Sequence, residues 1–384
     1  MRKLSADWII TLAHEPLKNG VVIIDDDGKV INLLQSPVGL NDVEHFDGIL
    51  CPGFINAHCH LELSHLKGKL PEKTGLVNFI QNVQKFRSAD IQEIISSIER
   101  AENEMRENGI VGVGDISNSE NTFLQKKKQN LHYHTFVEVF GFNPASAEKL
   151  LSNSIELASK APQEATVVPH APYSVSEKLF RQIADLEQSI VSIHNQETAE
   201  EGKFYKNKTG DFLKLYEGFG LDISFFNAKG KNSIQSYLPW MGKGRKLLVH
   251  NTCSSEEDLN FAEDNSDNYW CLCPNANIYI ENQLPDIPLF IQKKLKLVVG
   301  TDSLASNHQL SILAEMMTIA AAFSDIDLET MLVWACKNGA DFFGWNDFGT
   351  IEKGKKPGLN LLQHVRETSG HFYISEKTTI KKIA

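Results

Sequence analysis

Eight short apolar runs, spaced along the middle of the chain, constrain this sequence more than any other feature. They are Gly48–His60, Gly109–Ile116, Tyr133–Phe140, Thr166–His170, Ile190–His194, Lys246–His250, Trp270–Cys273 and Leu295–Gly300. Most are separated by stretches with helical apolar spacing, such as Ile91–Glu107, Ala147–Ser159, Ser176–Glu187 and Glu256–Glu263. Strands alternating with helices predict parallel pairing through βαβ units, and eight such units close into a (β/α)8 TIM barrel. A doubly wound open sheet is the structural alternative, but its Gly-rich fingerprint is missing.

The two ends read differently. Asp25-Asp26-Asp27-Gly28 is a hairpin turn between the β-prone runs Val21–Ile24 and Lys29–Leu33. Residues 349–384 carry the strand-like pieces Asn360–Leu362, His371–Ser375 and Thr378–Ile383, with no helical period. The expected organisation is therefore an α/β chain in two parts. Residues 50–348 form a distorted barrel, and residues 1–49 with 349–384 pair into a small accessory β-sandwich.

Composition narrows the functional classes. With 384 residues, 42% hydrophobic and 23% charged, the chain is ordinary globular protein and not collagen, disordered tail or coiled coil. Lys+Arg 38 against Asp+Glu 49 gives −11, which argues against a sequence-independent grip on nucleic acid or anionic lipid. Six Cys form no disulfide framework, so a reducing cytoplasm is expected. Asp7 and His14 interrupt the apolar core that a signal peptide needs. No apolar run approaches the roughly 18 residues of a membrane span.

The chemistry collects where the strands end. Strand one finishes in Asn56-Ala57-His58-Cys59-His60, and residues i and i+2 of a strand face the same way, so two imidazoles share one side. Strand four ends in His170, strand five in His194 with Glu197 three residues on, strand six in His250, and strand eight runs into Gly300-Thr301-Asp302. In a barrel those ends meet at one rim, where active sites of this architecture sit. A single His at a strand end is more often structural than a ligand. The joint pattern is what points to a metal site. His132-Tyr133-His134 provides an internal control: it precedes its strand and is expected as a surface pair at the opposite end.

Pro52–His60 resembles the strand-one signature of the amidohydrolase superfamily. His194 with Glu197, His250 and Gly300-Thr301-Asp302 resemble its strand-five, strand-six and strand-eight signatures, and Asn338-Gly339-Ala340 and Gly349–Lys355 resemble its return to the β-domain. Within the superfamily the chain is most similar to the cytosine deaminase-like aminohydrolases, which include guanine, adenosylhomocysteine and aminodeoxyfutalosine deaminases and triazine chlorohydrolases. The resemblance implies one catalytic divalent ion, with His58, His60, His194 and Asp302 as ligands. Imidazole and carboxylate donors without Cys suit Zn2+ first, with Fe2+ or Mn2+ also compatible.

Further roles follow from the same resemblance. Glu197 would carry a proton from a metal-activated water to a ring nitrogen of the substrate. His250 would orient that water, and Asp302 would return a proton to the leaving group. The family uses the position of His170 to contact substrate. Cys273-Pro274-Asn275-Ala276-Asn277 resembles Cys-Pro-x-x-Asn, whose Asn (here Asn277) faces the cleft. Glu62 shares the parity of His58 and His60, which puts it either at the mouth, gripping a polar substrate, or in solvent. Cys271 and Cys273 are expected in the core. No Lys ends strand three and His170 ends strand four, which favours one metal, while Glu138 near the end of strand three leaves room for a second. Lys356-Pro357-Gly358-Leu359 departs from the family's Ala-Asp-Leu, in the accessory region only.

The implied function is hydrolytic deamination of an aminopurine nucleoside or similar heterocycle. His60-Leu61-Glu62-Leu63-Ser64 resembles the aminodeoxyfutalosine deaminases more than typical guanine deaminases. A chlorohydrolase or cyclic-amide hydrolase would use the same barrel with another leaving group. A non-enzymatic scaffold predicts missing ligands, which the full set argues against. The H-x-E plus Cys-x-x-Cys arrangement of nucleic-acid-editing deaminases is absent. The expected partner is a small heterocyclic molecule; the resemblance also makes a homodimer compatible, since relatives often dimerise.

Overall fold

A computed structural model describes residues 1–384. Five strands come before the ring: β1 (Arg2–Ile9), β2 (Leu17–Lys18), β3 (Val21–Ile24), β4 (Val30–Leu34) and β5 (Val43–Pro52). Eight strands then correspond one for one to the eight apolar runs: β6 (Phe54–Cys59), β7 (Ile110–Ser117), β8 (His132–Val139), β9 (Ala165–Pro169), β10 (Ile190–Asn195), β11 (Arg245–His250), β12 (Asn268–Leu272) and β13 (Leu297–Val299). Four more follow: β14 (Leu359–Gln363), β15 (Arg366–Thr368), β16 (His371–Tyr373) and β17 (Thr379–Lys382).

The first apolar run is not one strand. It divides at Gly53, with β5 in the accessory sheet and β6 opening the ring. A Cβ at Gly53 would lie 2.4 Å from Val111 Cγ1 and 2.7 Å from the Pro357 carbonyl oxygen, so only glycine lets the chain cross between the two sheets there.

Strands β6-β7-β8-β9 and β10-β11-β12-β13 are two four-stranded parallel sheets. Backbone bonds at their C-terminal ends close them into a ring. The His194 N–H donates to the His170 carbonyl at 2.9 Å across one seam. At the other, the N–H groups of Thr301 and Asp302 donate to the His58 carbonyl at 3.0 and 3.1 Å. The result is an α/β arrangement of eight parallel strands in two sheets, joined at both seams by strand-end residues of the site.

Helices lie where periodicity places them, over Ile91–Glu107, Ala147–Ser159, Glu177–Ala184 and Glu256–Asn265. Ser176 caps the third, accepting from the Leu179 N–H, and Ser255 with Asp258 forms a reciprocal capping box at the fourth.

Both chain ends join one mixed sheet, ordered β17-β14-β5-β1-β3-β4, with β2 on β1. It buries its own apolar cluster, including Leu4, Val22, Leu50 and Leu361. The β15–β16 ribbon packs against it through Phe372, edge-on to Trp8 at 5.2 Å. No helix is long and apolar enough to cross a membrane.

His132 and His134 lie at the start of β8, opposite the rim, but they are not both on the surface. His132 is exposed; His134 is buried against Phe136 and Phe343, with Nε2 3.0 Å from Thr166 Oγ1. The helix over Asn338–Phe343 brings Phe343 across that end of the ring, which short-range sequence pattern does not disclose. Burial pushes the His134 imidazole down to about 3.

Candidate metal centre

Strand parity points His58 inward from β6, and His60 follows one residue past the strand. The Nε2 of His60 lies 3.2 Å from His58 Nε2 and 3.2 Å from His194 Nε2. Asp302 Oδ1 is 3.5 Å from His58 Nε2 and 3.4 Å from His60 Nε2. One donor atom from each of these four buried residues falls within 4.8 Å of every other. Gly300 makes this approach possible, since a Cβ there would meet His58 Cβ at 2.8 Å and its backbone at 2.9 Å. Asp302 and His250 take left-handed backbone conformations, with φ of 54° and 75°. Such non-glycine conformations persist where surrounding structure over-determines them, typically at functional sites. Here Ser306 Oγ donates to Asp302 Oδ2.

The hydrogen-bond network assigns two tautomers. His194 Nδ1 sits 2.8 Å from the His170 carbonyl oxygen, which can only accept, so Nδ1 carries the hydrogen and Nε2 presents a lone pair. His250 Nδ1 similarly donates to Asn277 Oδ1 at 2.8 Å. Burial depresses the imidazoles, taking His60 down to about 3 and His194 and His170 well below the ordinary value, so these rings are neutral at pH 7. Burial also opposes the charge on Asp302, but the hydrogen bond with His58 and the neighbouring His60 and His250 outweigh it and hold this carboxyl below the usual range.

One ring proton can bridge two of the clustered nitrogens and no more, whereas a cation satisfies all four donors together. The donor set therefore fits a divalent ion of the zinc, iron or manganese type. The group is closed on the protein side, because His194 is already oriented by the His170 carbonyl in the manner of a ligand held by a second partner.

Beside the four donors, a cavity opens at the rim. The helix Leu76–Phe86 gives it an apolar wall of Leu76, Phe79, Ile80 and Val83, facing Phe140 and Tyr173. His60, His170, His194, Glu197, His250 and Asp302 form its polar side. His170 packs 4.3 Å from the Phe140 ring, and its Nδ1 lies 2.6 Å from Ser174 Oγ.

Glu197 is buried, not a solvated helix-start acid. Gln196, with φ 45°, turns the chain after β10; its side chain is fixed by Ser254 at 2.6 Å and Asp258 at 2.9 Å. The turn brings Glu197 Oε1 to 3.6 Å from His250 Nε2. Burial, reinforced by the charges of Asp302 and Glu281, pushes its carboxyl well above the ordinary value.

Two expected cavity residues are elsewhere. Glu62 neither grips the mouth nor faces solvent: it is buried, accepting from the Asn118 N–H at 3.1 Å and Ser119 Oγ at 2.9 Å. Alternation stops at His60 because Leu61–Leu66 is a 3-10 turn, which cancels the parity argument. Asn277 does not line the cavity; it lies beneath His250 and sets its tautomer. Arg87, Asn118 and Glu138 line the wall instead. Arg87 ends a helix with no chemical signature of its own, and Asn118 lies just past β7, so neither stood out in the sequence. Cys271 and Cys273 are buried core residues, as expected, with sulfurs 3.9 Å apart.

The sequence model described as the Amidohydrolase family matches residues 49–383. An adenosine deaminase of Helicobacter pylori is 29% identical over 330 residues, covering 82% of this chain and 79% of that one. An aminodeoxyfutalosine deaminase of a Nitratiruptor species is 25% identical over 337 residues, covering 83% and 80%. Among solved structures, the aminofutalosine deaminase of Helicobacter pylori in complex with methylthio-coformycin superposes with a TM-score of 0.83 at 22% identity, covering 100% of both chains.

Proposed function

The chain belongs to the amidohydrolase family, and on that premise we propose that it is a metal-dependent aminohydrolase removing ammonia from an adenine-type nucleoside. His58, His60, His194 and Asp302 are the ligands of one divalent ion, zinc by preference. When bound, such an ion lowers the pKa of a coordinated water toward about 7 and so supplies a nucleophile at neutral pH. The observation that carries the reading is the placement of Glu197, a buried carboxyl 3.6 Å from His250 on the cavity side of the four donors.

The remaining work falls to the side chains. Glu197 takes one proton from the attacking water and delivers it to the ring nitrogen next to the reacting carbon. Its burial beside the donor cluster keeps bulk water from competing for the proton it passes on. His250, whose Nδ1–H is committed to Asn277, turns a bare Nε2 toward the cavity and holds the water by accepting its hydrogen. A C–O bond forms and the C–N bond breaks. Asp302 carries the second water proton to the departing amine, so ammonia leaves. His170 contacts the heterocycle, and the apolar face of Leu76–Phe86 keeps bulk water away.

All cavity residues lie between His60 and Ser303. This supports assigning the chemistry to residues 50–348 and a supporting role to residues 1–49 and 349–384. The names of the relatives support an adenine nucleoside as substrate. The His60–Ser64 segment favours aminodeoxyfutalosine among such nucleosides.

Ammonia release from a panel of adenine nucleosides tests the reading. Release from at least one, abolished by chelation, is expected. Chloride release from a halogenated ring, or a ring-opened acid from a cyclic amide, without any ammonia would overturn it.

A further inference from the structure

We propose that Glu138 binds the sugar of the nucleoside, accepting hydrogen bonds from its hydroxyl groups. This rests on the deaminase reading above. Glu138 is the penultimate residue of β8, its side chain is only 2% exposed, and it lines the cavity. Its Oε1 has no hydrogen-bond partner. A buried acceptor left unpaired is costly, so one in a cavity wall marks a place for a donor from the ligand.

Three roles within the protein can be set aside. Glu138 Oε1 is 3.3 Å from His194 Nδ1, but the single hydrogen of that nitrogen already goes to the His170 carbonyl at 2.8 Å. Glu138 is therefore not needed to orient His194. Glu138, His170 and His194 also bring donor atoms within 4.8 Å of one another. His194 has no lone pair to give there, since Nδ1 carries its hydrogen and Nε2 faces the first donor set, and two donors are too few for a second ion. Finally, Arg87 on the same wall has its guanidinium 3.7 Å from Glu62 and makes no ion pair with Glu138.

What remains is the substrate. The ring nitrogens of an aminopurine nucleoside accept hydrogen bonds, and its amino group belongs at the reacting carbon beside Glu197 and Asp302. The sugar hydroxyls are the other donors. Glu138 lies on the Nδ1 side of His194, whereas the four-donor cluster lies on the Nε2 side. It is thus set back from the reaction centre by one imidazole ring, on the wall of the same cavity.

The experiment compares the metal-loaded native protein with Glu138→Met and Glu138→Gln, using adenosine, 2′-deoxyadenosine and 3′-deoxyadenosine as probes. In the native protein, loss of the hydroxyl that Glu138 contacts should lower kcat/KM about ten- to one-hundred-fold, mainly through KM. In Glu138→Met that discrimination should fall to within about twofold. Glu138→Gln, which keeps an acceptor oxygen, should retain most of it. Bound metal should be unchanged in both variants. Equal loss on all three nucleosides by Glu138→Met, or loss of its metal, would overturn the proposal and assign Glu138 to holding His194. Discrimination that is absent in the native enzyme while all three are deaminated would overturn it and leave the deaminase reading standing. Absence of ammonia from every nucleoside in the wider panel would overturn both.

Discussion

Lys126 Nζ and Asp115 Oδ2 form an ion pair 2.6 Å apart, with neither side chain reaching solvent. The ammonium also donates to Ser117 and Thr135 at 3.1 and 3.0 Å, while Asp115 Oδ1 accepts the Leu61 N–H at 2.8 Å. The pair thereby fixes the turn directly after His60. Breaking a buried pair leaves an uncompensated charge, so Lys126→Met alone should destabilise the fold by about 3–5 kcal/mol in denaturant titrations. Adding Asp115→Leu should recover much of that stability. The turn then loses its acceptor, and affinity for zinc, measured by chelator competition, should fall about 10- to 100-fold.

Thermal denaturation reads the donor cluster directly. Zinc added to chelator-treated protein at about one hundred times its Kd should stabilise the folded state by about 2.7 kcal/mol, raising Tm. His60→Ala removes the imidazole whose nitrogen is 3.2 Å from both His58 and His194. That variant should show no shift at the same zinc concentration.

Glu197→Gln keeps the size of the side chain and removes its proton-carrying capacity. Its kcat should fall by about 10²–10⁴, the usual contribution of a positioned acid–base group. Metal content by elemental analysis should stay at the native level, because Glu197 is outside the four-donor cluster.

Asn277→Leu separates orientation from binding. Without the 2.8 Å acceptor at Nδ1, His250 is free to exchange tautomers and to rotate. We expect kcat to drop by about 10- to 100-fold, with bound metal unchanged. An unaltered kcat would show that the cavity alone holds His250.

Stability should depend on pH through Glu201. Burial raises its carboxyl to about 8, against the hydrogen bonds from Ser233 and the Gln196 N–H. The folded protein therefore holds this proton more tightly than the unfolded chain does. The stability it contributes is fully present below the unfolded pKa near 4.5 and is lost as pH rises toward 8. Glu201→Gln should raise unfolding free energy at pH 8 by about 1–3 kcal/mol and change little at pH 4.5.

The strand-end chemistry was legible because it depends on short-range rules. His58, His194, His250 and Asp302 each close or directly follow an apolar strand run, and a barrel delivers all such ends to one rim. The helices over Ile91–Glu107 and Ala147–Ser159 were equally readable, since an apolar face repeats with the helical period. Legibility failed where alternation lapsed. Parity leaves Glu62 at the mouth or in solvent, but parity ends with the strand, and the 3-10 turn swings it toward Asn118. His134 failed for another reason, because Phe343, more than two hundred residues later, covers it.

Taken alone, the order of residues determined the alternation of strand and helix, the rim on which reactive groups gather, and the kinds of donor available there. Those properties follow from neighbours a few positions apart. Only the folded chain decided that Asn277 serves His250, that Arg87 and Glu138 rather than Glu62 and Asn277 face the cavity, and that the His170 carbonyl sets the tautomer of His194. Each of these is a contact between segments distant in the chain. Its geometry depends on how turns direct side chains after the regular elements end, and no local periodicity encodes that.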